Sequence, residues 1–190
     1  MNGTGNYLCI DPGLRGLGAA LFLDGRLSSA TYIKNPVTEG RGYAAHAALA
    51  AQTYAKYACN HCLDTLVIEH PRIYGLRGAQ NEGETDPNDL LDLAGVGAAV
   101  ASYFFDNYGV NPMSGQREIE IQTVFPSEWK GTMKKELMTE RIREKLVESG
   151  EIERVVSPGK TLEHNVLDAC GIGLWKLGRL NSKVYPGATR

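Results

Sequence analysis

Short apolar segments separated by turn signals predict the first half of the fold. Tyr7–Asp11 is an apolar run that ends at Pro12-Gly13, which predicts a buried strand followed by a turn. Segments 18–23 and Arg26–Lys34 predict two more strands, and Asp24-Gly25 between them is a strong hairpin signal. We therefore expect three antiparallel strands at the start of the chain.

The rest of the chain alternates predicted helices and strands. The Ala-rich segment 40–59 favours a helix, and the apolar segment Thr65–Glu69 favours a buried strand that Pro71 stops. The later elements are a helix capped by Asp86 or Asn88 and ending near residue 108, a strand at 118–125, a basic amphipathic helix at 134–149, and a helix at 161–180 with Thr161 as its cap. This β-β-β-α-β-α-β-α-α order predicts an α/β fold whose mixed sheet, three antiparallel strands and then parallel strands, is flanked by helices.

Composition limits the kind of protein this is. The 190 residues suit one domain spanning 1–190, and 43% hydrophobic with 22% charged residues is ordinary for a globular protein. No apolar run is long enough to cross a bilayer, and residues 1–7 lack the features of a signal peptide. We expect a cytoplasmic protein that makes no membrane contact.

The distribution of charge matters more than its sum of −2. Between residues 130 and 145 the chain has six basic and three acidic residues, so this segment carries a local charge of +3. Such a patch can contact phosphates while acidic residues elsewhere bind catalytic metals. Cys59 and Cys62 have the spacing of half a zinc site without a second half, so a zinc site and two reduced thiols both remain open.

Three acidic residues stand out because each borders an apolar segment. Asp11 ends the first strand, Glu69 ends the strand Thr65–Glu69, and Asp168 lies in a mostly apolar helix. A carboxylate is costly to bury unless it is paired or bound to a metal. Considered singly, Asp11 would cap a turn, Glu69 would pair with an arginine, and Asp168 would be a solvated helix residue. Together, with the two strands adjacent, they suit two hard divalent cations for phosphodiester hydrolysis.

Four motifs in sequence order resemble those of the RuvC-type resolvases. They are Ile10-Asp11-Pro12-Gly13 with Gly16 and Gly18, Val67-Ile68-Glu69, Trp129-Lys130 with Lys134-Lys135-Glu136, and Asp168-Ala169 with Gly171-Ile172-Gly173-Leu174. The resemblance implies an RNase H-like fold, a homodimer, Mg²⁺ as cofactor with Mn²⁺ as a substitute, and cleavage of Holliday junctions or related branched DNA in recombination and repair. The short chain fits a viral or mobile-element member, for which the location is the host cytoplasm.

The resemblance assigns metal binding to Asp11, Glu69 and Asp168, but the fourth acidic position departs from the family. Asn165 stands where the family usually has an Asp, and His164 precedes it. Both lie within one helical turn of Asp168, so either Asn165 ligates through its carbonyl oxygen or His164 ligates or handles a proton.

Basic and aromatic residues are the candidates for DNA contact. Lys130 and Lys134 are expected to stabilise charge on the reacting phosphate, and Lys135 and Arg141 to hold flanking phosphates, although a solvated helix face is the alternative. Trp129 either packs in the core or stacks on a base. In the Gly-rich segment after Glu69, the expected contacts to a branch point come from Arg72, Ile73, Tyr74 and Arg77.

Two other functions remain open from the sequence. The Asn at position 165 fits a catalytically weak or inactive relative that only binds branched DNA. An actin-like phosphotransferase also uses an Asp-x-Gly turn, but it needs a second phosphate loop and a second such domain, for which 190 residues leave no room.

Overall fold

A mixed six-stranded sheet forms the centre of the molecule. The computed structural model describes residues 5–36, 43–59, 63–71, 87–108, 119–159 and 162–180. Within them the strands are β1 (Tyr7–Asp11), β2 (Gly16–Leu23), β3 (Arg26–Lys34), β4 (Thr65–Glu69), β5 (Glu120–Val124) and β6 (Val155–Val156), in the spatial order β5-β4-β1-β2-β3-β6. The β1–β2 and β2–β3 pairs are antiparallel, whereas β4 is parallel to both β1 and β5. The predicted mixed sheet is confirmed.

Helices cover both faces of this sheet. They are α1 (Tyr43–Cys59), α2 (Pro87–Tyr108), α3 (Pro126–Trp129), α4 (Lys135–Glu148) and α5 (Glu163–Lys176). One core cluster packs α1 and α2 against the sheet, and a second packs α4 and α5 against the opposite face. No described helix has both the length and the apolar character that crossing a lipid bilayer demands.

The predicted hairpin between β2 and β3 is confirmed by its backbone. Asp24 and Gly25 have positive φ angles of 51° and 76°, which are the values that a two-residue turn between twisted strands needs. Cys9 and Cys170 are buried free thiols, as their apolar neighbours predict. The half zinc site suggested by Cys59 and Cys62 lies outside the described part, which excludes the Cys59 side chain and residues 60–62.

Several element boundaries differ from the predictions. Strand β2 begins at Gly16 rather than at residue 18, because it pairs with β3 back to Lys34. Helix α2 begins at Pro87, so Asn88 is inside the helix and is not its cap, while Asp86, Thr161 and residues 40–42 lie outside the described residues. The last helix ends at Lys176 and not near residue 180.

Helix α3 and strand β6 were not predicted, because each is too short to show a periodic pattern. Helix α3 has four residues, with Pro126 at its first position. The Glu128 side chain accepts a hydrogen bond of 2.6 Å from the backbone N–H of Phe125, which closes the start of the helix. This short helix positions two residues of the site described below.

A buried carboxylate joins three elements at the end of the molecule remote from Asp11. Glu151 is 1% exposed and accepts hydrogen bonds from the backbone N–H of Leu27 at 3.1 Å, from Ser149 Oγ at 2.8 Å and from the Arg179 guanidinium at 2.5 Å. Burial opposes ionisation, but the hydrogen bonds from Arg179 and Ser149 outweigh it and lower the pKa of Glu151. Glu151 therefore stabilises the fold in its ionised form.

Replacing Glu151 by Gln should lower the free energy of unfolding at pH 7 by about 3 kcal/mol, because the Arg179 charge then loses its buried partner. Since the folded pKa is lowered, this contribution exists above the ordinary value of 4.5 and disappears as pH falls through the folded pKa. Urea unfolding at pH 7 and at pH values below 4.5 measures it, with exposed Glu153→Gln as control. A parent–variant difference that is independent of pH would contradict this account.

Candidate active site

The register of two parallel strands brings the first two carboxylates together. Strands β1 and β4 pair from Tyr7↔Thr65 to Ile10↔Ile68, so the next position on each strand is Asp11 and Glu69 respectively. The carboxyl ends of parallel strands lie at the same edge of a sheet, which is why these two acids are neighbours. The first and fourth strands are thus adjacent, which is the condition that the sequence set for bringing the two acids together.

Side-chain alternation directs both acids towards the same face. Ile10 and Ile68 belong to the core beneath α1 and α2, whereas Cys9 and Val67 belong to the core beneath α4 and α5. Because successive side chains of a strand point to opposite faces, Asp11 follows Cys9 and Glu69 follows Val67. Both carboxylates therefore face the layer that contains α5.

Helix α5 supplies the third carboxylate because it lies very close to β2. Asp168 is only 6% exposed, and α5 packs against β1 and β2. The absence of a side chain at Gly18 permits this approach, since a Cβ there would lie 1.9 Å from the carbonyl oxygen of Asn165. Gly18 thus determines how far the first turn of α5 extends over the sheet edge.

A lysine ammonium lies between two of the three acids. Lys130 Nζ is 3.5 Å from Glu69 Oε2 and 3.6 Å from Asp168 Oδ2. The neighbouring Trp129 is 3% exposed, and its indole N–H donates a hydrogen bond of 2.5 Å to the same Glu69 oxygen. The ammonium also lies 4.7 Å from the centre of the Trp129 ring. Glu69 Oε2 therefore contacts two consecutive residues at the end of α3, Trp129 by a hydrogen bond and Lys130 by an ion pair.

The electrostatics of the cluster favour protons or cations. Burial raises the pKa of Asp11 well above its ordinary value, and the charges of Glu69 and Asp168 raise it further. Burial also raises the pKa values of Glu69 and Asp168, although Lys130 opposes both increases. Burial lowers the pKa of Lys130, but Asp168, Glu69 and Asp11 outweigh it, so the net shift is upward. A positive charge is therefore strongly favoured here.

An open cleft of about 370 Å³ surrounds this cluster and brings most of the predicted residues together. The predicted site residues that line it are Asp11, Glu69, Lys130, Lys135, His164, Asn165 and Asp168. His164 also lines a second cleft along α4, together with Lys135 and Arg143. Both candidates for the fourth metal position, His164 and Asn165, thus border the carboxylates.

Some predicted residues lie elsewhere. Lys134 is exposed at the residue before α4, and its neighbour Lys135 faces the cleft instead. Arg141 is half-buried on α4 and is not among the residues lining either cleft. The expected branch-point residues Arg72, Ile73, Tyr74 and Arg77 lie outside the described residues.

Sequence reasoning missed the role of Trp129 beside Glu69. Its packing in the core is confirmed, because a Cβ on Gly171 would lie 2.6 Å from its ring. The hydrogen bond to Glu69 depends on where α3 sits relative to β4, and the sequence carries no local signal for that placement. Adjacency to Lys130 in the sequence was the one available clue.

The donor chemistry of the cluster suits a hard divalent cation, since three partly or fully buried carboxylates converge on one cleft. In the part of the chain that the structure describes, however, no three Asp, Glu, His or Cys side chains already surround one metal position. The Lys130 ammonium lies between two of the acids instead. The carboxylate chemistry therefore fits a divalent metal, while the position between Glu69 and Asp168 is taken by the ammonium.

Solved structures with the same architecture include those of two resolvases. Thermus thermophilus RuvC in complex with a Holliday junction substrate is 17% identical, with a TM-score of 0.58 over 92% of this chain and 97% of the other. The yeast mitochondrial Holliday junction resolvase Ydc2 is 10% identical, with a TM-score of 0.55 over 93% and 82%. A further Thermus thermophilus RuvC structure is 15% identical, with a TM-score of 0.51 over 92% and 97%.

These similarities show that the chain has the RNase H-like fold of the RuvC-type resolvases. No protein-family model matches the sequence, and no curated protein sequence matches it either.

Proposed function

We propose that this protein is a divalent-metal-dependent endonuclease that cuts Holliday junctions or related branched DNA by phosphodiester hydrolysis. The observation that supports this most directly is the convergence of Asp11, Glu69 and Asp168 from β1, β4 and α5 on one cleft that also contains Lys130 and Lys135. Two proteins with the same fold are Holliday junction resolvases, and one of them was solved with its junction. Fold alone does not fix chemistry, so the carboxylate cluster carries the proposal.

Asp11, Glu69 and Asp168 would hold Mg²⁺, or Mn²⁺ in its place, with Asn165 or His164 completing the set. Two ions per site remains the expected number, as in other two-metal nucleases. When bound, the metal supplies an activated water and charge stabilisation for the departing oxygen. Everything else in the reaction falls to side chains of this chain.

The proposed roles of these side chains follow from their positions relative to the cleft. Lys130 and Lys135 face the cleft and would hold the reacting phosphate, while His164 would pass a proton to or from the cleft. Lys134 and Arg141 lie outside it and would contact phosphates further along the strand. The segment with Arg72, Ile73, Tyr74 and Arg77 remains the proposed probe of the branch point.

A homodimer would hold two such sites apart, and α2 offers a surface for it. Exposed residues at positions 91, 95, 98, 102 and 105 form one stripe with alternating steps of four and three. The stripe consists of Leu91, Gly95, Ala98, Ser102 and Phe105, and its two large members are 66% and 63% exposed. Small residues between large apolar ones suit close packing against the same stripe of a second copy.

Replacing Ala98 by Arg should convert the dimer to a monomer, because a charged side chain would then lie at the centre of the α2 stripe. Sedimentation equilibrium of parent and variant measures the association. The matched control is Val147→Arg, which alters an exposed apolar residue of α4 on the other face of the sheet. Dimers of unchanged affinity in Ala98→Arg would exclude α2 as the interface.

The decisive experiment is cleavage of a labelled four-way DNA junction with Mg²⁺ or Mn²⁺, beside linear duplex and an RNA–DNA hybrid. Symmetric paired nicks in the junction alone, absent with Asp168→Asn, are the expected result. Junction binding without cutting in any metal would instead support a catalytically inactive binding protein. Cutting of the hybrid in preference to the junction would assign the site to another nuclease substrate.

Mg²⁺ should raise the melting temperature of the protein more at pH 8 than at pH 5. Burial raises the pKa values of Asp11, Glu69 and Asp168, and neighbouring carboxylates add to the increase for Asp11 and Glu69, so protons compete with the metal increasingly as pH falls. Above those raised pKa values the ionised cluster costs folding free energy, and bound metal offsets that cost. Thermal unfolding at increasing Mg²⁺ concentrations measures this stabilisation. Equal stabilisation at both pH values would disprove the coupling between metal binding and proton release.

A further inference from the structure

The charges in the cleft explain the position of the Lys130 ammonium. Three acids, Asp11, Glu69 and Asp168, line the same cleft. The ammonium lies within 3.6 Å of two of them, and its side chain is only 23% exposed. It thus occupies a place where opposite charge is most strongly attracted.

The main chain at Lys130 is fixed by its neighbours, but the long side chain can still move. Trp129 packs against Gly171 and Ile142 in the core, and its indole N–H donates to Glu69. Helix α3 is therefore fixed on the protein, so Lys130 cannot leave the cleft as a whole. Its four-carbon stem nevertheless lets the ammonium move by several ångströms through rotamer changes alone.

The same oxygens cannot serve the ammonium and a divalent cation together. Glu69 Oε2 accepts the Trp129 hydrogen bond and pairs with the Lys130 ammonium, which also pairs with Asp168 Oδ2. Among the described residues, no three His, Cys, Asp or Glu side chains surround a common metal position in this arrangement. A doubly charged ion entering the cluster would also repel the lysine at short range.

We propose that Lys130 is the resident counter-cation of the carboxylate cluster and that a divalent metal binds only by displacing its ammonium from Glu69 and Asp168. This inference rests on the proposed metal-dependent nuclease. The displaced ammonium remains tethered at the rim of the cleft by α3, within reach of a phosphate oxygen. One side chain thereby stabilises the metal-free protein and becomes available to the substrate when the metal is bound.

Mn²⁺ binding without DNA tests the displacement, measured by calorimetry and by the loss of the free Mn²⁺ electron paramagnetic resonance signal. Lys130→Met keeps the length of the side chain but removes the competing charge, so it should bind Mn²⁺ at least about tenfold more tightly than the parent. Its metal-free form should melt at a lower temperature, because the acids lose their counter-cation. The Mn²⁺-induced rise in melting temperature should accordingly be larger than in the parent.

Two variants separate displacement from a general effect of charge. Lys134→Met removes the same charge from an exposed neighbour, and it should change Mn²⁺ affinity by less than about threefold. Lys130→Arg keeps the charge and should bind Mn²⁺ as weakly as the parent. This variant also tests the inference if Lys130→Met does not fold.

The outcomes distinguish this inference from the proposed function. Equal Mn²⁺ affinity of the parent and Lys130→Met would overturn the displacement, while metal-dependent cleavage by the parent would leave the nuclease intact. Equal gains in Lys134→Met and Lys130→Met would also overturn it, since the effect would then be a general one of charge. Absence of Mn²⁺ binding in every variant would overturn the inference and the metal-dependent nuclease together.

Discussion

Asp11→Asn is expected to reduce metal-dependent junction cleavage about 1,000-fold or more. Asp11 lies at the carboxyl end of β1 beside Glu69, and it lines the cleft that holds the other acids. Metal-based charge stabilisation amounts to several kcal/mol of the barrier, and each 1.36 kcal/mol is about tenfold in rate. Initial rates of nicking on a preformed junction at saturating Mg²⁺ measure the loss.

The same substitution should raise the melting temperature of the metal-free protein at pH 8. Burial and the charges of Glu69 and Asp168 raise the pKa of Asp11, so its ionised form is costly to the folded state. Asn has nearly the same shape and removes that charge. Lost activity together with retained or increased stability would separate a chemical role from damage to the fold.

Asp24→Asn is the matched control for Asp11→Asn. Asp24 is exposed in the β2–β3 turn with a φ of 51°, a conformation that Asn adopts readily. It should cleave as the parent does and show no shift in Mg²⁺ affinity. Cleavage by Asp11→Asn at a rate close to the parent's would remove the carboxylate cluster from the catalytic machinery.

The adjacency of Asp11 and Glu69 could be predicted from sequence because it depends on strong local patterns. Two apolar segments of five residues each end in an acid, and a turn or a proline follows. Once these strands pair in parallel, the register and the alternation of side chains bring the acids to the same edge and face. The structure confirms this pairing, with Ile10 opposite Ile68.

What the sequence left unpredicted depends on non-local packing. Whether Lys134 or Lys135 faces the cleft depends on the residue at which α4 begins, because consecutive helical residues point about 100° apart. The hydrogen bond from Trp129 to Glu69 depends on the placement of a four-residue helix against β4. Strand β6 has two residues and forms only because β3 offers an edge for pairing. None of these features leaves a periodic signal.

Gly18→Ala is expected to disable the site by displacing helix α5, which carries Asp168. The added Cβ would lie 1.9 Å from the Asn165 carbonyl oxygen and 3.0 Å from the Val166 backbone nitrogen. Both are backbone atoms in the first turn of α5, so no side-chain rotation relieves the clash and α5 must move away from β2. We expect a loss of about 3 kcal/mol in the free energy of unfolding.

Cleavage should fall about 100-fold even where Gly18→Ala remains folded, because α5 carries Asp168 and a shift near 1 Å is enough to misplace it. Urea unfolding and junction cleavage, both at a temperature where the variant is folded, measure the two effects. The control is Gly97→Ala in α2, whose Cβ would meet its nearest neighbour, Ile68, at an ordinary 3.6 Å. Parent-like stability in Gly18→Ala would show that α5 does not depend on this close approach, and the third carboxylate would then need another explanation for its position.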